Sequence, residues 1–279
     1  MCEDPQMSTD PAYFTPTADG AFMPSIFAQS HWGSDHLNGP AIVGLAAQAL
    51  EKDCGSPEFM PTRITVDLFR AARNLPTTVE VRVIRDGRRV RNAECEVVQD
   101  GRPVARATLV QYRRSVAPPG EEWTAPVDTP QLPTPDGELV PFIGSDEGGW
   151  TRSPEAHQNT SRKQFFYTSP NIVAGEPVSP FVRAVNVSES TSLVTNLGTE
   201  GIGYINGDLT VALSRLPLDD WIMVQGDSHW VADGISVGTA TLFDRRGPFG
   251  SGMVTAVANP AAQIDFRGRP FPRGEINYE

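Results

Sequence analysis

One apolar stretch, residues 38–51, most constrains how this chain can fold. At its start, Asn38 can accept a hydrogen bond from an amide of a first helical turn, and Pro40 occupies a position where no amide is needed. No strong helix breaker follows before Gly55, and few side chains of the stretch are polar. The pattern is too apolar for a surface helix, so we predict a helix that other elements largely enclose.

Four runs with strand character follow this stretch and are the candidates to enclose it. Thr62–Arg70 and Thr78–Arg85 alternate apolar and polar residues. Val90–Gln99 and Val104–Arg113 flank Asp100-Gly101, a dipeptide typical of two-residue hairpins. One helix followed by consecutive antiparallel strands predicts an α+β unit.

The character of the sequence changes between Ser115 and Trp150. Seven prolines and a series of acidic residues occur there, without any lysine or arginine. Because proline cannot donate to a strand ladder, we predict that residues 115–160 are an acidic, Pro-rich linker on the surface. The linker divides the chain into an N-terminal unit at residues 1–114 and a C-terminal unit at residues 161–279.

After the linker, the earlier order of elements returns. Gln164–Thr168 has strand character, and a helix is predicted from Val178 to about Leu197, with Gly198 as its stop. The strands predicted after this helix are Tyr204–Leu213, Trp221–Gly226, Ile235–Phe243 and Met253–Ala258.

The two halves also share landmarks at near-constant spacing. Offsets of 140, 141 and 146 positions relate Gly39-Pro40, Asp67 and Gly101 to Ser179-Pro180, Asp208 and Gly247. Such regularity indicates an internal duplication. A single unit leaves one sheet edge open, so we expect two units to join edge to edge and to leave a groove for an elongated ligand.

Charge and composition limit the classes of partner. A net charge of −11 over 279 residues argues against nucleic acid or an anionic membrane surface. The three cysteines have no metal-ligand spacing and cannot all pair in disulfides, which fits a reducing cytoplasm. The sequence shows no signal-peptide pattern and no apolar run of about 18 residues, so we expect a cytoplasmic protein without membrane spans.

The stretches that carry the duplication resemble the acyl-CoA thioesterase II family and related thioesterase-like proteins. They are residues 38–51, 99–109, 206–217 and 232–238. The resemblance implies a double hotdog fold, in which two tandem antiparallel sheets each wrap a long apolar helix and join into one extended sheet. It also implies hydrolysis of a fatty acyl-CoA by water, without a metal or other cofactor. A monomer and a homodimer of double hotdogs are equally compatible with the duplication.

The catalytic positions of that family are not retained in this sequence. The family orients a water with an aspartate on the second helix, a threonine or serine on the next strand and a glutamine on the last strand. By register these positions fall on Ser188, Asn206 and Val254 or Thr255. We therefore take Glu189, beside Ser188, as the candidate base, and Asn206, Ser188 and Thr255 as the other catalytic candidates.

Three further residues are candidates for substrate binding. Amides near Asn38 and Gly39, at the start of the first helix, would polarise a thioester carbonyl. Asp208 is the third candidate. As plainer alternatives, Asp208 and its equivalent Asp67 would hold the sheet junction, and Asn206 would start a strand.

Two other functions stay open from the sequence. Val254 in place of glutamine suggests a catalytically eroded protein that binds acyl-CoA or lipid. The segment from His36 to Gly39 resembles the loop before the helix in hotdog dehydratases, where a histidine works with a carboxylate. A dehydratase or hydratase is therefore the third hypothesis.

The arginines of the first hairpins either form a solvent-exposed face or contact the phosphates of CoA. They are Arg85, Arg88, Arg89, Arg91, Arg102 and Arg106.

Overall fold

A computed structural model describes residues 11–126 and 130–268 of the chain. Its α-helices are α1 (Gly39–Cys54), α2 (Pro180–Ser188) and α3 (Thr191–Asn196), and short 3-10 helices lie at Ile26–Ala28 and Pro154–His157. The strands of the first half are β1 (Ala12–Pro16), β2 (Phe22–Pro24), β3 (Gln29–Ser30), β4 (Gly33–Leu37), β5 (Phe59–Leu68), β6 (Thr78–Asp86), β7 (Val90–Gln99) and β8 (Arg102–Arg113). Those of the second half are β9 (Phe142–Ser145), β10 (Gly149–Thr151), β11 (Lys163–Tyr167), β12 (Asn171–Val173), β13 (Leu197–Gly198), β14 (Gly201–Ile202), β15 (Tyr204–Asn206), β16 (Asp208–Leu213), β17 (Ile222–Ala232), β18 (Ile235–Asp244) and β19 (Gly247–Ala258).

Both halves contribute to one sheet of twelve strands in the described part of the chain. Its order is β10-β9-β11-β17-β18-β19-β16-β5-β8-β7-β6, and β15 also pairs with β19. The halves meet where β5 and β16 pair antiparallel, with Thr65 opposite Thr210 and Asp67 opposite Asp208. The hydroxyl oxygens of the two threonines lie 3.0 Å apart. This edge-to-edge union confirms the predicted double hotdog.

The first helix is enclosed, as its composition predicts. Asn38 accepts a hydrogen bond from the amide of Ala41 at 2.9 Å and so caps α1. The side chains from Ala41 to Ala47 and that of Leu50 are buried. Each large apolar side chain removed from water in this way contributes about 1.5–3 kcal/mol. The central helix is therefore held mainly by packing rather than by helix propensity.

The second helix is not continuous, and the prediction of one helix from Val178 to Leu197 is wrong. α2 begins as expected, with the Oγ of Ser179 accepting a hydrogen bond from the amide of Val182 at 3.1 Å. It ends at Ser188, and the amide of Ser190 then donates to the carbonyl of Val187, three residues back rather than the four of an α-helix. Hydroxyl groups of this serine-rich run donate to nearby backbone carbonyls, which competes with regular helical bonding.

The region between the halves is only partly irregular. Within the described ranges, residues 114–126 and 130–141 contain no helix or strand, as the proline content predicts. The sequence also predicts no ladder up to Trp150, but β9 and β10 extend the sheet beyond β11. β9 contains no proline and has the apolar pair Phe142-Ile143, so it can pair normally. The division into units at residues 114 and 160 stays a prediction.

Two strand glycines allow α3 to lie directly on the sheet. A Cβ atom at Gly238 in β18 would overlap with three side-chain atoms of Thr195. One at Gly252 in β19 would overlap with the hydroxyl of Thr191. The position of α3, and of the break that precedes it, therefore depends on the absence of side chains at these two positions.

We expect Gly238→Ala to lower the free energy of unfolding by about 1–3 kcal/mol, because Thr195 must move to accept the methyl group. Thr195 is itself restrained by a 2.7 Å hydrogen bond to the carbonyl of Thr191. Urea unfolding measures the effect. Gly198→Ala is the control, since its Cβ would meet only the carbonyl of Gly201 at 3.9 Å. Equal unfolding free energies for the two variants would contradict this account.

Candidate active site

A cavity of about 790 Å³ opens between the start of α1 and the junction of α2 with α3. Both halves of the chain line it, so it occupies the groove that the duplication predicts. Its wall is rich in aromatic side chains, among them Tyr13, Phe27, Trp32, Phe69, Phe165 and Tyr204. Such a wall suits an apolar ligand.

Glu189 brings a carboxyl group to this cavity. It lies at the break between α2 and α3 and is 8% exposed. Its Oε1 accepts a hydrogen bond from Nδ2 of Asn206 at 3.2 Å and a longer one from Oγ of Ser192 at 3.5 Å. The predicted partnership of Glu189 and Asn206 is thus present in the geometry, although their catalytic roles stay predictions.

The Glu189 carboxyl also touches the first residue of α1. A Cβ atom at Gly39 would lie 2.6 Å from Cδ of Glu189, so only glycine leaves room for this approach. The positive end of the helix dipole lies here, together with the first-turn amides. Asn38, Gly39, Glu189 and Asn206 all line the cavity, and their roles in catalysis and substrate binding stay predictions.

Burial sets the proton affinity of Glu189. Desolvation raises the pKa of its carboxyl from 4.5 to about 7, while the hydrogen bonds from Asn206 and Ser192 lower it. The group therefore exchanges its proton near neutral pH. A carboxylate with such a pKa is well matched to general-base chemistry.

Polar residues that sequence reasoning missed also lie in this cavity. Nδ2 of Asn186 donates to the carbonyl of Pro40 at 2.8 Å and so links α2 to α1. Tyr13 also lines the cavity, and burial raises its pKa while the Asn186 side chain lowers it. Asn186, Glu189 and Ser192 are spaced by three residues, which places them on one face of the continuous helix that the sequence predicts. This spacing is the signal that could have found Asn186.

The other three candidates lie outside the cavity. Oγ of Ser188 donates to the carbonyl of Ala184 and is fully buried. Thr255 donates from its hydroxyl and, at 2.9 Å, from its amide to the carboxylate of Asp208. Val254 is buried because successive strand residues point to opposite faces. The contacts of Asp208 support its structural role near the β5–β16 junction.

A serine–histidine pair lies elsewhere in the molecule. Oγ of Ser145 is 3.0 Å from Nδ1 of His157, whose Nε2 is 2.8 Å from the hydroxyl of Thr151. Ser145 and His157 are buried, and Ser145 is also hydrogen-bonded by Asn159. With its hydrogen-bonding groups satisfied, the cluster has the features of a structural link between β9, β10 and the 3-10 helix.

In residues 11–126 and 130–268, no three His, Cys, Asp or Glu side chains converge in a way that could hold a metal ion. Over the same described ranges, every helix is too short or too polar to cross a bilayer.

Two domain families match consecutive parts of the chain. "Acyl-CoA thioesterase N-terminal domain" matches residues 28–112, and "Acyl-CoA thioesterase C-terminal domain" matches residues 120–257. The chain belongs to the acyl-CoA thioesterase family. The matches cover the two halves in the order that the internal duplication predicts, and together they span both sides of the cavity.

Solved structures agree with a thioesterase fold at low sequence identity. The tesB protein of Mycobacterium avium subsp. paratuberculosis is 17% identical, with TM-score 0.62 over 88% of this chain and 96% of that one. Acyl-CoA thioesterase II TesB2 from Mycobacterium marinum is 15% identical, with TM-score 0.62 over 95% and 97%. A hot dog protein of unknown function from Alicyclobacillus acidocaldarius is 14% identical, with TM-score 0.61 over 86% and 92%. At these identities the similarity concerns the fold alone. No curated protein matches the sequence.

Glu189 should also make the stability of this thioesterase-family chain depend on pH. Its pKa is higher in the folded than in the unfolded state, so the neutral carboxyl favours folding, and this contribution is lost as pH rises from about 4.5 through 7. We expect the free energy of unfolding of Glu189→Gln, measured relative to that of the unaltered protein, to increase by up to about 3 kcal/mol as the pH rises from 5 to 8.

Urea unfolding of both proteins across this pH range measures the difference. Glu176→Gln is a matched control, because Glu176 is a partly exposed carboxylate outside the cavity that pairs with Lys52. A pH-independent difference between Glu189→Gln and the unaltered protein would contradict a buried, titrating Glu189.

Proposed function

We propose that this chain hydrolyses a fatty acyl-CoA thioester, with Glu189 as the general base that activates water. The observation that carries the proposal is the position of one carboxyl group. It is buried, it has a pKa of about 7, and it lies between Asn206 and the first residue of α1. Membership of the acyl-CoA thioesterase family supports the thioester as substrate.

The reaction needs one proton acceptor that later becomes a donor. The ionised Glu189 takes a proton from water as the water oxygen bonds to the thioester carbonyl carbon, which gives a tetrahedral oxyanion. Collapse of this intermediate breaks the C–S bond, and Glu189 returns the proton to the leaving thiolate. The products are a carboxylic acid and free thiol, and Glu189 is ionised again. Asn206 orients the carboxylate throughout.

The start of α1 supplies the groups that suit the oxyanion. Pro40 has no amide hydrogen, and the amide of Ala41 is already bonded to Asn38. The Gly39 amide is therefore the donor that we assign to the developing charge, with support from the helix dipole. Because Gly39 also admits the Glu189 carboxyl, one residue places the base and the oxyanion donor side by side.

The cavity offers different surfaces to the two parts of the substrate. Its aromatic and aliphatic wall suits the acyl chain, and the exposed Arg70 lies on the lining as a candidate contact for CoA phosphates. None of the six hairpin arginines considered from the sequence lines this cavity. Two of them are paired with carboxylates, Arg91 with Asp86 and Arg106 with Asp67.

Two alternatives have specific support. Ser188 and Thr255 lie outside the cavity, and Val254 is buried, which favours an eroded protein that binds acyl-CoA without hydrolysis. His36 and Glu189 line the same cavity, which favours a hydratase. Hydration of an enoyl thioester would lower its ultraviolet absorbance without releasing thiol, and binding alone would do neither. A thiol-release assay together with the absorbance of an enoyl-CoA therefore distinguishes the three functions. A monomer or a homodimer stays a prediction.

The activity should follow the ionisation of Glu189. We expect kcat/KM for acyl-CoA hydrolysis to rise with pH through a midpoint near 7, as Glu189 loses its proton. Glu189→Gln should lower kcat by about 100- to 10,000-fold. Asn206→Ala should move the midpoint above that of the unaltered protein, because the lost hydrogen bond lowers the pKa of Glu189.

Chromogenic detection of free thiol over a range of acyl chain lengths measures these effects. Glu176→Gln serves again as the matched carboxylate control and should keep the normal rate. Binding of acyl-CoA without thiol release at any chain length, or full activity in Glu189→Gln, would reject the proposal.

Arg70 should affect only substrates that carry the nucleotide of CoA. We expect Arg70→Gln to raise KM for acyl-CoA by about two- to fivefold, as for an exposed charge pair, with kcat unchanged. The S-acyl-N-acetylcysteamine analogue lacks the phosphates, so its KM should not change. Arg88→Gln is the control, because Arg88 is exposed but does not line the cavity. Equal effects on both substrates would exclude a phosphate contact.

A further inference from the structure

A second cavity, of about 360 Å³, lies at the opposite end of α1 from the candidate active site. The residues that line it come from the end of α1, from β5, from β8 and from the loop after β16. They include Glu51, Phe59, Leu109, Gln111, Arg114 and Leu216.

This second cavity is the counterpart of the first under the internal duplication. Each cavity is bounded by the C-terminal part of one unit's helical segment and by the first strand after it, which is β15 for the first cavity and β5 for the second. The end of the same unit's last strand, and the loop that follows β5 or β16 of the other unit, complete the boundary. These parts are represented by Glu189, Asn206, Val257 and Phe69 in the first cavity and by Glu51, Phe59, Gln111 and Leu216 in the second. Fold symmetry therefore explains why a cavity exists here.

The chemistry of the two cavities differs at the helix ends. The first turn of α1 lines the first cavity, whereas residues 178–182 at the start of α2 do not line the second. The second cavity instead faces the C-terminal end of α1, where the helix dipole is negative. A carbonyl or an anion is thus favoured in the first cavity, and a hydrogen-bond donor or a cation in the second.

Gln111 shows that an acceptor in the second cavity lacks a partner. Its side chain is 1% exposed, and its Nε2 donates to the carbonyl of Cys54 at 3.1 Å. Its Oε1 is buried and has no hydrogen-bond partner among the described residues. A buried acceptor left without a donor destabilises the fold, and a ligand N–H would recover this loss.

Glu51 adds a carboxyl group to the lining of the same cavity. Its carboxylate accepts a hydrogen bond from Oγ of Ser179, the cap of α2, and burial raises the pKa of the carboxyl. A cation next to Glu51 would stabilise the ionised carboxylate and so offset its loss of hydration on burial. The remaining walls at Phe59, Leu109 and Leu216 are apolar.

We propose that this cavity binds a primary ammonium ion with a small apolar carbon skeleton, and that Glu51 and Oε1 of Gln111 accept hydrogen bonds from the ammonium group. The apolar walls hold the carbon skeleton of the ligand. Arg114, an exposed residue of the lining, would meet the carboxylate if the ligand is an amino acid rather than a simple amine. Free amines and amino acids share the ammonium group on which recognition depends.

Calorimetric titration with isopentylammonium chloride in phosphate buffer tests the proposal. We expect saturable binding of one ligand per chain. Glu51→Gln should weaken it by at least about tenfold, since it removes the charge and keeps the shape. Glu58→Gln should bind normally, because Glu58 is an exposed carboxylate outside the cavity. Glu189→Gln should also bind normally, which separates this site from the first cavity and from thioester hydrolysis.

Two further ligands and one further variant complete the test. Leucine carries the same skeleton with a carboxylate, so binding tighter than the amine identifies an amino-acid site, and equal or weaker binding identifies an amine site. Leu216→Trp, which narrows the cavity without touching the charges, should abolish binding even if Glu51→Gln fails to fold. Absence of isopentylammonium binding at millimolar concentration, equal binding of isovalerate, or normal binding in Leu216→Trp would overturn the proposal.

Discussion

The pairing of β5 with β16 is the contact on which the rest of the structure depends. It joins two half-sheets into one and places Thr65 of the first half directly opposite Thr210 of the second. With the sheets joined in this way, α1 and α2 pack together, and the C-terminal part of each helix lies close to the start of the other. The first cavity lies at one of these meeting points, and the second lies beside the other, where Glu51 lines it. The double unit therefore creates its binding sites through the same contact that closes its sheet edge.

The first of these meeting points is chemically distinctive because a charged side chain is buried at a helix start. Glu189 reaches this position only because the helix breaks after Ser188 and because Gly39 has no side chain. The break in turn depends on α3 lying against Gly238 and Gly252. Local backbone irregularity and the absence of three side chains thus combine to set the proton affinity of one carboxyl group.

The sequence allowed prediction of features with local signals. The cap at Asn38 and the apolar composition of α1 predict an enclosed helix, and the structure confirms it. Register with the thioesterase family predicts Asn206 as a site residue, and Glu189 is predicted as its partner because it adjoins Ser188; the two side chains are hydrogen-bonded. The break after Ser188 was missed because it depends on where α3 meets the sheet. Tyr13 was missed because it reaches the cavity from β1, far away in sequence.

The long separation of β5 and β16 along the chain also affects synthesis of the protein. β5 ends at Leu68 and its partner strand ends at Leu213. At translation rates of about 5–20 residues per second, roughly 7–30 s pass before the second strand is available. During this interval the edge of β5 lacks its final neighbour, and α1 lacks part of its enclosure. The nascent first half is therefore the stage at which a chaperone would be most useful.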